Sequence, residues 1–391
     1  MAEAHFAMAT AAQGADDKEL ALKEARAAGK LKPGWEAAAN LEGQLLLASS
    51  PDKAVEFYED FLGKHPAAKS VRLNYARLLA ERKNVAGTKT QIEELVKAAP
   101  QDAETLIASG VLAGQIKDYE TSERHLQRAL ELSPQQGDDI RMYLGQLYED
   151  RKVYADAEKW YREVEPGEQF LSAQIKVATM IARQGRMDDA RKYLSQVQAS
   201  GPQRAQLILA EAQLLREAKD YQGAYDRLAA GLEEFPGSVE LLYDRAMIAE
   251  KMDRVDLLEQ DLKLLLSFKP DHAHAYNALG YTLADRTDRH SEALAFIEKA
   301  VKLAPDDAFI IDSLGWVQYR MGRLEDSIAN LRLAFAKRPD PEIAAHLGEV
   351  LWAQGKKDEA RQIWRDSVKE HPENELLNAT IKKYASDLSR T

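Results

Sequence analysis

Cysteine is absent from the 391 residues, which excludes disulfide staples, thiol nucleophiles and thiolate metal ligands. No apolar run approaches the roughly 18–20 residues needed to span a bilayer. The opening stretch MAEAHFAMATAAQ lacks the basic start and long apolar centre of a signal peptide. Basic runs are missing too. With 53 Lys and Arg against 64 Asp and Glu, the formal charge is −11, so nucleic acid and anionic membranes are poor partners and protein is the better one. No Walker, GxSxG, GxGxxG or HExxH sequence occurs, and the eight histidines are scattered. The nearest approach to a ligand pair, His272 and His274, has an i,i+2 spacing that points the two rings to different sides of a helix. No catalytic, cofactor or metal site is expected from these residues.

What is present is a rhythm. Hydrophobic residues make up 45% and charged residues 30%, ample for a continuous core. Eleven of the 13 prolines keep one phase: Pro33, Pro66, Pro100, Pro134, Pro166, Pro202, Pro236, Pro270, Pro305, Pro339 and Pro372, at intervals of 33, 34, 34, 32, 36, 34, 34, 35, 34 and 33. Proline stops helices because it lacks an amide donor and clashes with the preceding turn. An even series of stops near 34 residues apart is the length of a helix–turn–helix unit, so the chain reads as one elongated repeat array rather than several globular domains. Pro33 already terminates a unit that opens near Ala2, so a trimmed or processed N-terminus is expected, with an ordinary cytosolic start as the alternative.

Other residues keep the same phase. Ala54 and Tyr58 precede Pro66, and Leu144, Gly145 and Tyr148 are followed by Ala157 and Tyr161. Leu279–Gly280 is followed by Ala293, Ile297, Ala300 and Pro305, and Leu347–Gly348 by Ala360, Trp364 and Pro372. This pattern resembles the tetratricopeptide repeat over nearly the whole chain. The resemblance implies an all-α, right-handed superhelical solenoid of about eleven helix–turn–helix units plus a C-terminal capping helix. Small residues should sit where the two helices of a unit approach most closely. The third unit, with Thr88 in place of Ala, should pack more loosely. We expect N-terminal units over 1–134, an irregular unit with a bend over 135–170, C-terminal units over 171–372, and a capping helix and tail over 373–391. QQGDD at 135–139 carries about three extra residues, and the segment 284–293 adds one to a turn.

In this family the first helix of each unit lines the concave face, and its second, fifth, ninth, twelfth and thirteenth positions point inward. Carried onto this chain, the resemblance nominates Leu73, Arg77, Ile107, Val111, Met142, Ile175, Leu209, Arg216, Tyr243, Met247, Tyr281, Trp316, Tyr319 and Trp352 as the protein-binding groove. The other fifth positions are Phe6, Ala39, Asn277, Asp312 and Ala345. Aliphatic residues at such positions often serve the core, whereas Trp and Tyr along a groove are costly to expose unless something binds there. The aromatic row from Tyr243 to Trp352 is therefore the expected contact surface. No fifth position is Lys and no ninth is Asn, which disfavours a clamp for a C-terminal carboxylate and favours an extended polypeptide.

The run from Asn277 to Gly322, NALGYTLADRTDRHSEALAFIEKAVKLAPDDAFIIDSLGWVQYRMG, resembles the proteobacterial tetratricopeptide lipoproteins of the outer membrane, above all the adaptor of the periplasmic carboxyl-terminal processing protease. That resemblance implies a non-catalytic scaffold that captures peptidoglycan hydrolases, activates the protease and faces the periplasm from a lipid anchor. Neither the lipobox cysteine nor a signal peptide is in this chain. A structural assembly factor for an envelope or pilus complex is the alternative.

Overall fold

The computed structural model describes residues 1–386; the tail of the expected 373–391 segment beyond Ser386 lies outside them. Two compact units are present, Met1–Val197 and Gln198 onward. The first stacks six antiparallel helix pairs: α1 (Ala2–Gly14) with α2 (Lys18–Leu31), α3 (Glu36–Ser49) with α4 (Pro51–Lys64), α5 (Lys69–Glu81) with α6 (Val85–Ala98), α7 (Ala103–Gln115) with α8 (Tyr119–Leu132), α9 (Gly137–Asp150) with α10 (Tyr154–Arg162), and α11 (Phe170–Arg183) with α12 (Met187–Gln196). The second stacks five: α13 (Pro202–Glu217) with α14 (Tyr221–Glu234), α15 (Val239–Lys251) with α16 (Val255–Phe268), α17 (Ala273–Arg286) with α18 (His290–Leu303), α19 (Ala308–Arg320) with α20 (Leu324–Lys337), and α21 (Pro341–Ala353) with α22 (Lys357–Glu370). A last helix, α23 (Glu375–Tyr384), packs on α21 and α22. Among the described residues there is no strand, and no helix is long and apolar enough to cross a membrane.

Local sterics explain the boundaries. The residue before a proline is pushed out of the helical region, and nine of the phased prolines stand two residues beyond a helix end. Their predecessors leave the helical region: His65 has φ −130° and ψ 66°, Lys269 φ −133° and ψ 81°. Two prolines behave differently. Pro166 follows the short helix α10, and Pro202 opens α13 in its first turn, where a missing donor does no harm.

The tight turns inside the pairs share a different device. After α5 the chain enters the left-handed region at Lys83 (φ 58°), Asn84 N–H donates to Leu79 O at 2.9 Å and Lys83 N–H to Ala80 O at 2.9 Å. These two hydrogen bonds satisfy carbonyls at the end of the helix. Asn84 then caps α6 by accepting from Gly87 N–H at 3.0 Å. The same left-handed step recurs at Lys117, Lys152, Lys219, Asp253, Gly322 and Gly355. Two pairs depart from it: the second, whose helices are joined by the extended Ser50 alone, and the ninth, where the extra residue expected in the turn instead lengthens α17 and Thr287–Arg289 is as short a connection as Arg82–Asn84.

Small residues hold the two helices of a pair together. Ala54, Ala157, Ala293 and Ala360 are all fully buried. At Gly280 a Cβ would stand 2.6 Å from the Ile297 side chain and 2.8 Å from Ala293 O, so α17 and α18 meet at backbone distance. In the third pair Thr88 is also fully buried, and its hydroxyl donates to Asn84 O at 2.8 Å. That bond accommodates a polar group where alanine is usual.

Candidate functional site

In the first unit, three nominated residues meet. Arg77 on α5 and Ile107 and Val111 on α7 line an open hollow of about 620 Å³ together with Glu81, Glu104 and Tyr143. Tyr143, on α9, is 43% exposed and was not nominated; it lies one residue beyond the fifth position. Leu73 is half-buried against the core formed by Ala76, Ile92 and Leu112. Met142 and Ile175 are half-buried on α9 and α11.

In the second unit, Leu209 borders an apolar hollow of about 620 Å³ with Pro202, Phe235 and Pro236. Arg216 donates to Gln213, one turn back on the same helix. Met247 is half-buried on α15. Tyr243 stacks on His272, with centroids 5.5 Å apart and rings inclined by 27°. The His272 Nδ1 accepts from Ala275 N–H at 3.1 Å and so caps α17. Among the described residues no group of side chains could hold a metal ion.

The richest site lies where α17, α19, α21 and α23 converge. Tyr281, Trp316 and Tyr319 line a cavity of about 740 Å³, joined by His346, Glu349 and Tyr384. Three nominated aromatics thus share one surface, but Trp316 is not the exposed ring the sequence pattern predicted. It is 7% exposed: its indole stacks on His346 at 4.3 Å, and its N–H donates to Asp285 Oδ1 at 3.2 Å. Packing therefore accounts for most of this tryptophan, which presents only an edge. Trp352 is half-buried in the capping core beside Trp364 and Tyr384, at 5.8 and 6.1 Å, and is not among the cavity-lining residues.

Beneath the aromatics lies a buried ionic pair. His346 Nδ1 is 2.8 Å from Asp312 Oδ2 and 3.1 Å from Oδ1, while Nε2 is 3.4 Å from Tyr281 Oη. One imidazole thereby ties α17, α19 and α21 together. Burial lowers the His346 pKa, but the Asp312 charge and hydrogen bond, helped by Glu349 and Asp285, overturn that effect and leave it raised. Tyr281 is driven strongly upward by burial and by the carboxylates of Asp285, Asp312, Glu250 and Glu342. Tyr243 moves the same way through burial, Asp244 and Glu250. Burial is the larger cause for both phenols, and Glu250 is the one carboxylate that acts on both.

His346 was missed because it stands one residue beyond the fifth position, and Glu349, although it holds a ninth, inward position, was passed over in favour of the aromatic residues. A signal existed for His346: it stands 34 residues after Asp312, one repeat on.

Comparison with known proteins agrees with this architecture. A tetratricopeptide repeat family profile matches residues 107–169, 181–239 and 313–375, and a second profile of the same repeat matches 273–307, together more than half of the chain. TPR repeat-containing protein PA4667 of Pseudomonas aeruginosa is 43% identical over 213 residues, covering 54% of this chain and 36% of that protein. Human tetratricopeptide repeat protein 21A is 23% identical over 332 residues, covering 81% of this chain and 23% of that protein. The chain thus spans about a third or less of the length of these relatives. Among solved structures, a thermophilic tetratricopeptide protein of Thermus thermophilus is 26% identical with a TM-score of 0.42, covering 47% of this chain and 98% of that one. Yeast Tom70 is 14% identical with a TM-score of 0.46, covering 100% and 99%. With its paired helices, its small-residue contacts and the two profile matches, the chain belongs to the tetratricopeptide repeat family of protein-binding scaffolds.

Proposed function

We propose that this chain is a non-catalytic adaptor that captures polypeptide substrates, cell-wall cross-link hydrolases among them, and delivers them to a carboxyl-terminal processing protease that it activates. On this reading it works in the periplasm, held at the outer membrane by a lipid anchor. The observation that carries the proposal is the run Asn277–Gly322, whose resemblance to the protease-adaptor lipoproteins coincides with the helices that frame the aromatic cavity. The proteobacterial origin of the 43% identical relative is consistent with it. Stacked repeats supply extended surfaces on which many weak contacts add up.

Reconstitution tests the proposal. The chain, the protease and a hydrolase substrate are combined, and cleavage is followed with and without the chain. Acceleration by the chain, with no cleavage when the protease is omitted, is the expected result. A cleavage rate that the chain leaves unchanged overturns the adaptor role.

A further inference from the structure

His346 joins α17, α19 and α21 through two nitrogens that do different work. The residue is 5% exposed, and its ring stacks on the Trp316 indole with centroids 4.3 Å apart. Nδ1 lies 2.8 and 3.1 Å from the two carboxylate oxygens of Asp312. A carboxylate only accepts, so Nδ1 carries a hydrogen whether the ring is neutral or charged. The proton that His346 gains and loses is therefore the one on Nε2, and the polar atom facing Nε2 is Tyr281 Oη at 3.4 Å.

That geometry couples the charge of the histidine to the direction of one hydrogen bond. When the ring is neutral, Nε2 accepts and the Tyr281 hydroxyl hydrogen is committed to it. When the ring is charged, Nε2–H donates to Tyr281 Oη and the hydroxyl hydrogen is released, with no other acceptor among the described residues. Tyr281 is half-buried and lines the cavity, so the released hydrogen can meet an acceptor there, and a hydroxyl that accepts from a cation is polarised into a stronger donor. Burial disfavours the charged ring, but Asp312 on α19, Glu349 on α21 and Asp285 on α17 outweigh it and leave the His346 pKa raised. Arg320 of α19 and Lys383 of α23 line the same cavity and are engaged, Arg320 with Asp285 O at 2.9 Å and Lys383 with Glu349 at 3.5 Å. Tyr384 of α23 donates to Glu349 at 2.8 Å, and α20 and α22 contribute no residue to the cavity.

We propose that His346 is a proton-controlled switch in the cavity wall: charged, it makes Tyr281 a hydrogen donor to a main-chain carbonyl of a bound polypeptide; neutral, it withdraws that donor and weakens the complex. In the neutral state a carbonyl can be met only by breaking the Tyr281 bond to Nε2, which leaves a buried acceptor unmatched. This rests on the reading that the chain captures polypeptides, and adds the condition under which the cavity does so.

The test needs no protease, so its outcome is separate from that of the reconstitution. The probe is tetraproline blocked by acetyl and dimethylamide groups, which offers carbonyl acceptors but no N–H donor and no titratable group. Any pH dependence of its binding therefore belongs to the protein. Nitrogen-15 NMR of the histidine-labelled chain locates the His346 midpoint, the signal being assigned by its loss in His346→Gln. Calorimetry then measures probe binding well below and well above that midpoint. Affinity should be about fivefold higher on the acid side, and saturating probe should move the midpoint upward, since the coupling is reciprocal. Tyr281→Phe, which keeps the ring and removes the hydroxyl, and His346→Gln should each bind the probe equally at both pH values. The wild-type midpoint and affinities decide the outcome alone where a variant does not fold. Loss of the proton from Nδ1, a ring that does not titrate, no binding of the probe, equal or weaker affinity on the acid side, or a pH dependence that survives in Tyr281→Phe overturns the proposal.

Discussion

Replacing Asp312 by Asn asks whether charge, and not shape alone, ties α19 to α21. Asn keeps the side-chain volume and leaves an acceptor for His346 Nδ1, now 2.8 Å from Asp312 Oδ2. What disappears is the attraction between an imidazolium and a carboxylate that are both buried. A hydrogen bond to a charged group contributes about 1.5–3 kcal/mol and a neutral one about 1 kcal/mol, so the substitution should cost about 1–2 kcal/mol while His346 is protonated. The pH dependence has a fixed sign. The His346 pKa is raised in the folded protein, above an unfolded value of about 6.5. Its stabilisation is complete below about pH 6.5 and is lost as pH rises through the folded value. Without Asp312, burial prevails and the ring is neutral, so the difference between wild type and variant should be largest just on the acid side of neutrality and shrink toward alkaline pH. Urea unfolding followed by tryptophan fluorescence measures it, since Trp316, Trp352 and Trp364 all report on this unit. A difference that stays constant or widens as pH rises refutes the charged pair.

Two further substitutions separate packing from surface. Trp316→Ala removes a buried indole that stacks on His346, and should cost about 3–5 kcal/mol in denaturant melts; stability equal to wild type would return the ring to the surface. Ala293→Leu adds volume at a fully buried contact of α18 with α17. It should lower stability by about 1–3 kcal/mol through overpacking, seen as an earlier thermal transition by circular dichroism, and an unchanged transition would mean that the two helices can separate without cost.

The difference between what the sequence made legible and what it hid follows the range of the interactions. The proline ruler works because the clash that ends a helix acts between adjacent residues, as at His65–Pro66. It misleads at Pro202 because a proline is equally at home in a helix's first turn; there the left-handed Gly201, φ 53°, turns the chain so that Pro202 begins a helix. Which face a residue occupies was legible for Tyr281, Trp316 and Tyr319, since helical phase decides it, and all three do line one cavity. How deeply Trp316 sits was not, because its depth depends on a histidine one repeat away. Contacts of that range are not arbitrary, however. Glu149 meets Arg183 at a separation of 34, Glu36 meets Ser70 at 34, and Asp312 meets His346 at 34. Stacked repeats bring residues one period apart into register, so the ruler that assigns helices also nominates ionic partners, and a polar residue with a complementary one a period away is a candidate pair on spacing alone. Asp244, Glu250 and Glu342 show the limit of that reasoning: none has an ion pair or a side-chain hydrogen bond among the described residues, and a carboxylate left over after the pairs are made is visible only in three dimensions.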